Sequence, residues 1–298
     1  MPNAKIRNYL HLHFLVFIAG FTAILGELIS IKAVPLVWFR MVMAAILMLG
    51  YIKIAGVKLK ASPKAILRFS IAGVIIALHW ITFFGAIDVA NISIALAMFS
   101  TGAFFASFLE PIIHKRSIIW YEIIFGVFVI IGVFIITQSE IKFLLGIILG
   151  ISSAFLSSLF AVLNGKFLRQ HTATVISFYE FLSGVLFISL YIAIFGEGFT
   201  IDFFEISMSD YGYLFILASV CTAYAFIASI YVMKLVSPYT VVLTYNLEPV
   251  YGIIMAILLF PEKEKMSNSF YIGALIIIST VLLNGIIKNT SAVKRKNT

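Results

Sequence analysis

An all-α integral membrane protein of ten transmembrane helices, built as two inverted five-helix repeats, is the fold that this sequence predicts. Three observations carry that prediction. Of 298 residues, 62% are hydrophobic and only 11% charged, against about 45–50% and about 25% in soluble domains. The apolar residues fall into runs of about 20, the length that crosses a bilayer as a helix. Segments from the first half of the chain recur in the second half at a nearly constant offset.

Ten runs can be laid out in order, at 10–29, 35–54, 67–87, 92–113, 118–137, 143–164, 173–195, 212–235, 238–260 and 269–288. Lys5 and Arg7 precede the first run in the manner of a signal peptide. The run is long and no small-x-small cleavage site follows, so it reads as an uncleaved span. The connections are short, and the longest on the expected outer side, Gly196 to Asp210, is acidic: Glu197, Asp202, Glu205 and Asp210 without Lys or Arg.

Lys and Arg orient the spans. With the N-terminus inside, 16 basic residues fall in inner segments and four (Lys32, Lys142, Lys263, Lys265) in outer ones, with Arg40 inside a span. That excess predicts both termini in the cytoplasm of a cell-membrane protein. It also accounts for the net charge of +8 without a nucleic-acid partner, because the cations are spread over loops. A single cysteine, Cys221, in an apolar run excludes a disulfide framework and a cysteine metal cluster.

The repeat is visible by direct comparison. Val37–Arg40 matches Ser177–Glu180 at an offset of 140, Asn91–Gly102 matches Ser237–Glu248 at 146, and Gly126–Ile131 matches Gly273–Ile278 at 147. The Leu-Glu-Pro at Leu109–Pro111 and at Leu247–Pro249 is a coincidence, because aligning the two demands a gap elsewhere. A unit of five spans is odd, so the second copy must be inverted. The domains are therefore residues 1–139, residues 140–290 and a basic cytoplasmic tail at 291–298. Inverted repeats are typical of secondary transporters, whose substrate sits near the midplane between them.

Several polar residues fall inside apolar runs, where they are costly and need a partner or a wet cavity. Glu248 and His79 lie near the middle of their spans, the first beside Pro249, which removes a backbone donor. Glu248 is the leading candidate for proton coupling or substrate binding, and His79 for proton relay or a satisfied interhelical contact. Arg40 stays charged, so it holds a substrate carboxylate or closes a structural salt bridge. Glu27 lies at a matching depth on the neighbouring antiparallel span and is its expected ion-pair partner. Glu180 is a further candidate, with Tyr179, Trp80, Tyr245 and Asn246 behind it. The pairs Ser152-Ser153 and Ser157-Ser158, with Gly146 and Gly150, read as sites of close helix approach. Glu110 and Glu122, beside Lys115 and Arg116, read as solvated.

The Trp38-Phe39-Arg40 triplet, the Leu78–Ile87 run, the Asn91–Ala97 start of the fourth span, Ser237–Pro249 and Phe260-Pro261-Glu262 resemble, in this order, the EamA branch of the drug/metabolite transporter superfamily. The likeness covers nearly the whole chain. It departs at Ala103, which stands where the second repeat has Pro249. It implies an exporter of small metabolites such as amino acids or drug-like compounds, working by alternating access, with no cofactor or metal. The implied partners are a small-molecule substrate and the lipid bilayer, and the protein is a monomer or weak homodimer. The alternatives are weaker. An intramembrane enzyme lacks His-Glu-x-x-His, Gly-x-Ser-x-Gly or a buried Asp pair, and a channel or receptor lacks a filter-like Gly run or an extramembrane ligand domain.

Overall fold

In the computed structural model, which describes residues 2–115, 117, 119–225, 228, 232, 244–245 and 247–296, every regular element is helical and no strand occurs among the described residues. In chain order these are α1 (Pro2–Leu28), α2 (Ala33–Ile54), α3 (Pro63–Val89), α4 (Ile92–Phe99), α5 (Gly102–His114), α6 (Trp120–Ser139) and α7 (Leu144–Phe167). Then come α8 (Ala173–Phe195), α9 (Ile201–Phe204), α10 (Met208–Ala218), α11 (Glu248–Leu259) and α12 (Asn268–Lys296). Among the described residues seven segments are long and apolar enough to span a bilayer, and two shorter apolar helices lie at Glu248–Leu259 and Asn268–Asn284. The eighth and ninth expected spans fall partly outside the described residues.

Local chemistry sets the helix starts. Ser62 accepts from Ala65 N at 3.2 Å with Pro63 following, and Asn91 accepts from Ile94 N at 2.9 Å. Each cap supplies an acceptor for a backbone donor that has no partner inside the helix. Two helices carry irregular turns. The fourth expected span breaks at Ser100-Thr101, where the hydroxyls donate to Leu96 O and Met98 O instead of continuing the helix cleanly. After α10, Ser219–Tyr224 forms a π-turn. One extra residue is accommodated there, and such turns often sit beside functional sites.

Glycines set the closest helix approaches. A side chain at Gly73 would collide with the Glu180 backbone, so α3 and α8 touch main chain to main chain. Gly132 and Gly273 face each other between α6 and α12 in the same way. In a bilayer, where burial gives no hydrophobic gain, such contact provides the dispersion that holds helices together. Apolar side chains at Ile130 and Phe134 on α6, Leu186, Leu190 and Ile194 on α8, and Leu275 on α12 stay exposed, as lipid-facing positions do.

The helices pack as α2 on α8, α4 on α11 and α6 on α12, with α3 against α7 and α8, α1 against α10 and α11, and α7 also against α4 and α5. This arrangement leaves a space at the centre.

Candidate functional site

The central space is a cavity of about 340 Å³, lined from both halves of the chain. Its wall is largely aromatic and aliphatic, with Phe83, Phe99, Phe160 and Ile76. Its polar groups are few: Arg40, His79, Asn164, Ser177, Tyr245 and Glu248 stand out. An apolar wall with a small number of fixed polar groups is the usual make-up of a small-molecule site. The lining also includes Leu168, which is exposed, and Ala173.

Arg40 is only 3% exposed, and its position is fixed on two sides. Its Nε donates to Thr222 Oγ1 at 2.8 Å. Its guanidinium lies over the Trp80 ring, with Cζ 3.9 Å from the centroid, and Phe84 is next at 5.7 Å. Cation–π contact of this kind favours arginine over lysine, because the planar head stacks. Nη1 is buried without a hydrogen-bond partner. Thr222 belongs to the π-turn and in turn donates to Leu217 O at 2.8 Å, five residues back. The irregular turn therefore places the hydroxyl that holds Arg40.

His79, on α3, has its Nδ1 3.1 Å from Ser153 O and 2.9 Å from Ser153 Oγ, and its ring stacks on Phe99. A carbonyl oxygen can only accept, so the first contact puts the proton on Nδ1 and leaves a lone pair on Nε2. Glu248 occupies the first turn of α11, followed by Pro249. A carboxylate there suits the positive end of the helix dipole. Its backbone carbonyl packs on Gly20 of α1, and its side chain interacts electrostatically with Arg40 across the cavity.

The other expected residues separate into groups. Trp80 and Tyr245 line the cavity. Glu180 stands behind the wall, 1% exposed, accepting from the Asn164 side-chain amide at 2.9 Å. Tyr179 turns away, its hydroxyl donating to Leu59 O at 3.3 Å and its ring stacked on Phe69. Asn246 lies outside the described residues. The expected Glu27–Arg40 ion pair is replaced. Glu27 bonds the Lys263 ammonium instead, while Arg40 turns inward to Thr222 and Trp80. Matched depth alone was a poor guide, because Arg40 is buried at the cavity while Glu27 meets Lys263 at the end of α1. Glu122, read as solvated, is 2% exposed.

Thr222 and Asn164 hold candidate residues and were not singled out in the sequence, and Ser153, which holds His79, was read there only as a site of close helix approach. Asn164 had a signal, being the one amide in the expected span at 143–164. Thr222 had none, because a π-turn leaves no residue pattern. The serine–glycine stretch of α7 does allow close approach, with a Cβ at Gly150 falling 2.7 Å from Met98 Cβ. It also does more: Ser153 holds His79, and Ser158 donates to Gly102 O at 2.8 Å. Among the described residues no group of three His, Cys, Asp or Glu could hold a metal.

The model of the EamA-like transporter family matches residues 9–138 and 144–286. A solved crystal structure of another protein shares the fold with a TM-score of 0.63 at 12% identity, the match covering 93% of this chain and 96% of that one. No curated protein matches the chain.

Proposed function

This chain belongs to the EamA-like transporter family of the drug/metabolite transporter superfamily and is a membrane transporter, and we propose that it exports small metabolites through the central cavity by alternating access. The cavity is the observation that carries the reading. It joins a fixed cation, an imidazole and a carboxylate inside an apolar wall, and its lining extends to the exposed Leu168 at one rim of the bundle. Placed by the excess of basic residues, that rim is cytoplasmic, so a metabolite made in the cell can load the site directly.

A layout of ten spans in two inverted repeats, divided near residue 139, is supported by the packing. Pairing α1 with α7, α2 with α8, α3 with α10, α4 and α5 with the ninth span, and α6 with α12 carries several of the packed pairs onto one another. Thus α3 on α7 answers α10 on α1, and α4 and α5 on α7 answer α11 on α1. The helices that restart at Gly102 and at Glu248, 146 residues apart, are equivalent in this scheme. Two equivalent halves can exchange conformations and so present one site to each side in turn.

Glu248 is the proposed coupling group, taking up a proton as the substrate leaves, with His79 as a relay at similar depth. Full-length protein in proteoliposomes, given a pH gradient and a panel of amino acids, nucleosides and organic ions, tests this. Glu248→Gln should insert normally and lose gradient-driven transport while retaining exchange. An unchanged rate with unchanged pH dependence would leave Glu248 a structural carboxyl.

A further inference from the structure

We propose that the cavity takes its ligand by a carboxylate bound end-on to Arg40, and that Thr222 is the positioning residue that dictates this geometry; this deepens, and rests on, the reading of the cavity as the transport site. A guanidinium offers a carboxylate two forks, one side-on through Nε and one Nη, the other end-on through the two Nη groups. The side-on fork is closed here, because Nε is committed to Thr222 Oγ1 at 2.8 Å. One face of the head is covered by Trp80 at 3.9 Å. The edge that remains is the end-on one between the two Nη groups, of which Nη1 is buried and without a partner, on a side chain that lines the cavity.

A buried donor left without an acceptor is costly, more so when it is charged, so this edge favours an acceptor. Water could satisfy one N–H, but it neither neutralises the charge nor matches the fork. Glu248 supplies charge from across the cavity and is not hydrogen-bonded to this edge. A planar, bidentate anion does both. The rest of the ligand meets Phe83, Phe99, Phe160 and Ile76, so its body is apolar.

Thr222 is suited to its role by its own bond. Its hydroxyl proton goes to Leu217 O at 2.8 Å, leaving only lone pairs for Arg40. It is fully buried, so nothing from solvent competes. Without it, Nε loses its acceptor and the head is free to leave the Trp80 face.

The test uses purified full-length protein and three probes of one shape: phenylacetate, phenylacetamide and 2-phenylethylamine. Calorimetry gives affinity, and slowed maleimide labelling of Cys221, the chain's one thiol and part of the cavity wall, gives location. Phenylacetate should bind about tenfold or more tighter than the other two, as a charge-assisted bidentate pair requires. Thr222→Val should weaken phenylacetate about tenfold and leave the amide unchanged, while Thr222→Ser restores the acid to within about threefold. A merely structural role would weaken all three probes alike in Thr222→Val, and that result overturns the proposal. Equal binding of acid and amide to the wild type overturns it too, and leaves the cavity standing as the ligand site. Failure of all three to slow Cys221 labelling removes the carboxylate site and counts against the cavity itself.

Discussion

The two rims of this bundle differ sharply in how they are tied. On the rim holding residues 260–267, buried carboxylates bind backbone donors of helices from other parts of the chain. Glu264 accepts from Ile92 N at 3.0 Å and Ser93 N at 2.9 Å, clamping the start of α4. Asn91 reaches back to Lys263 O, Glu140 accepts from Ser267 N at 2.9 Å, and Asp210 binds Ser30 through both N and Oγ. On the opposite rim the described cross-links are made by histidine and tyrosine side chains, as in His11 to Tyr224 at 2.8 Å and His13 to Tyr251 at 3.0 Å. Tyr179 to Leu59 O and His114 to Val162 O are both 3.3 Å. The difference teaches which side moves at low cost. Charge-assisted bonds at helix N-termini tie the clasped rim, so any parting of the helices there must break them.

The sharpest way to break the comparison is to remove Glu264, which is 1% exposed. Glu264→Ala leaves two buried N–H groups at the start of α4 unsatisfied, at about 1–3 kcal/mol each. Thermal stability in detergent should drop by the largest margin of any change on this rim. Labelling of Cys221 from the clasped side should rise, because the lost bonds favoured the closed state. Stability lost without any change in labelling side would make the clasp a structural cap and no gate.

Asp210 sharpens the same comparison through pH. Burial opposes its ionisation, but hydrogen bonds from Ser30 and Ser207 outweigh burial and hold its carboxyl below the ordinary 3.8. The folded value lies under the unfolded one, so its stabilisation is complete above about pH 4 and fades as pH falls through the folded value. Wild-type protein should therefore lose stability on acidification at this rim. Asp210→Asn should cost about 1–2 kcal/mol near neutral pH, with a shallower acid limb in a thermal melt. An equal acid limb in both proteins would assign the pH response elsewhere.

This contrast between rims was only half legible in the sequence. Span positions followed from run length alone, because lipid leaves a helix no alternative to 20 apolar residues, and α2, α3, α6 and α8 fall where those runs fall. The polar residues of the cavity were visible for the same reason, since Arg40, His79 and Glu248 are expensive in an apolar run. Their partners were not. Thr222 reaches Arg40 only because a π-turn rotates it there. Glu264 clamps α4 from a loop 172 residues away, where a carboxylate beside lysines looks like any solvated surface charge. Tyr179 and Tyr245 are equivalent as letters, and only packing sends one outward and one to the cavity.

The smallest effect belongs to the pair that replaced an expected one. Glu27 and Lys263 join the end of α1 to the clasp, with the lysine side chain 66% exposed and the glutamate 14%. The hydrogen bond to Glu27, then its charge, raise the Lys263 ammonium above the ordinary 10.5. Its contribution is therefore complete at neutral pH and lost only as pH rises through that elevated value. Solvent screens an exposed pair, so Glu27→Gln should cost about 0.5–1 kcal/mol, well below Glu264→Ala. A double-mutant cycle separates the two pairings that the glutamate could make. Glu27→Gln and Lys263→Gln should be non-additive by most of that amount, while Glu27→Gln and Arg40→Gln should add, because Arg40 is held by Thr222 and Trp80. Coupling found with Arg40 and absent with Lys263 would mean that the guanidinium leaves the cavity for the rim in solution. In that case the buried end-on site would lose its cation, and the clasp one of its ties.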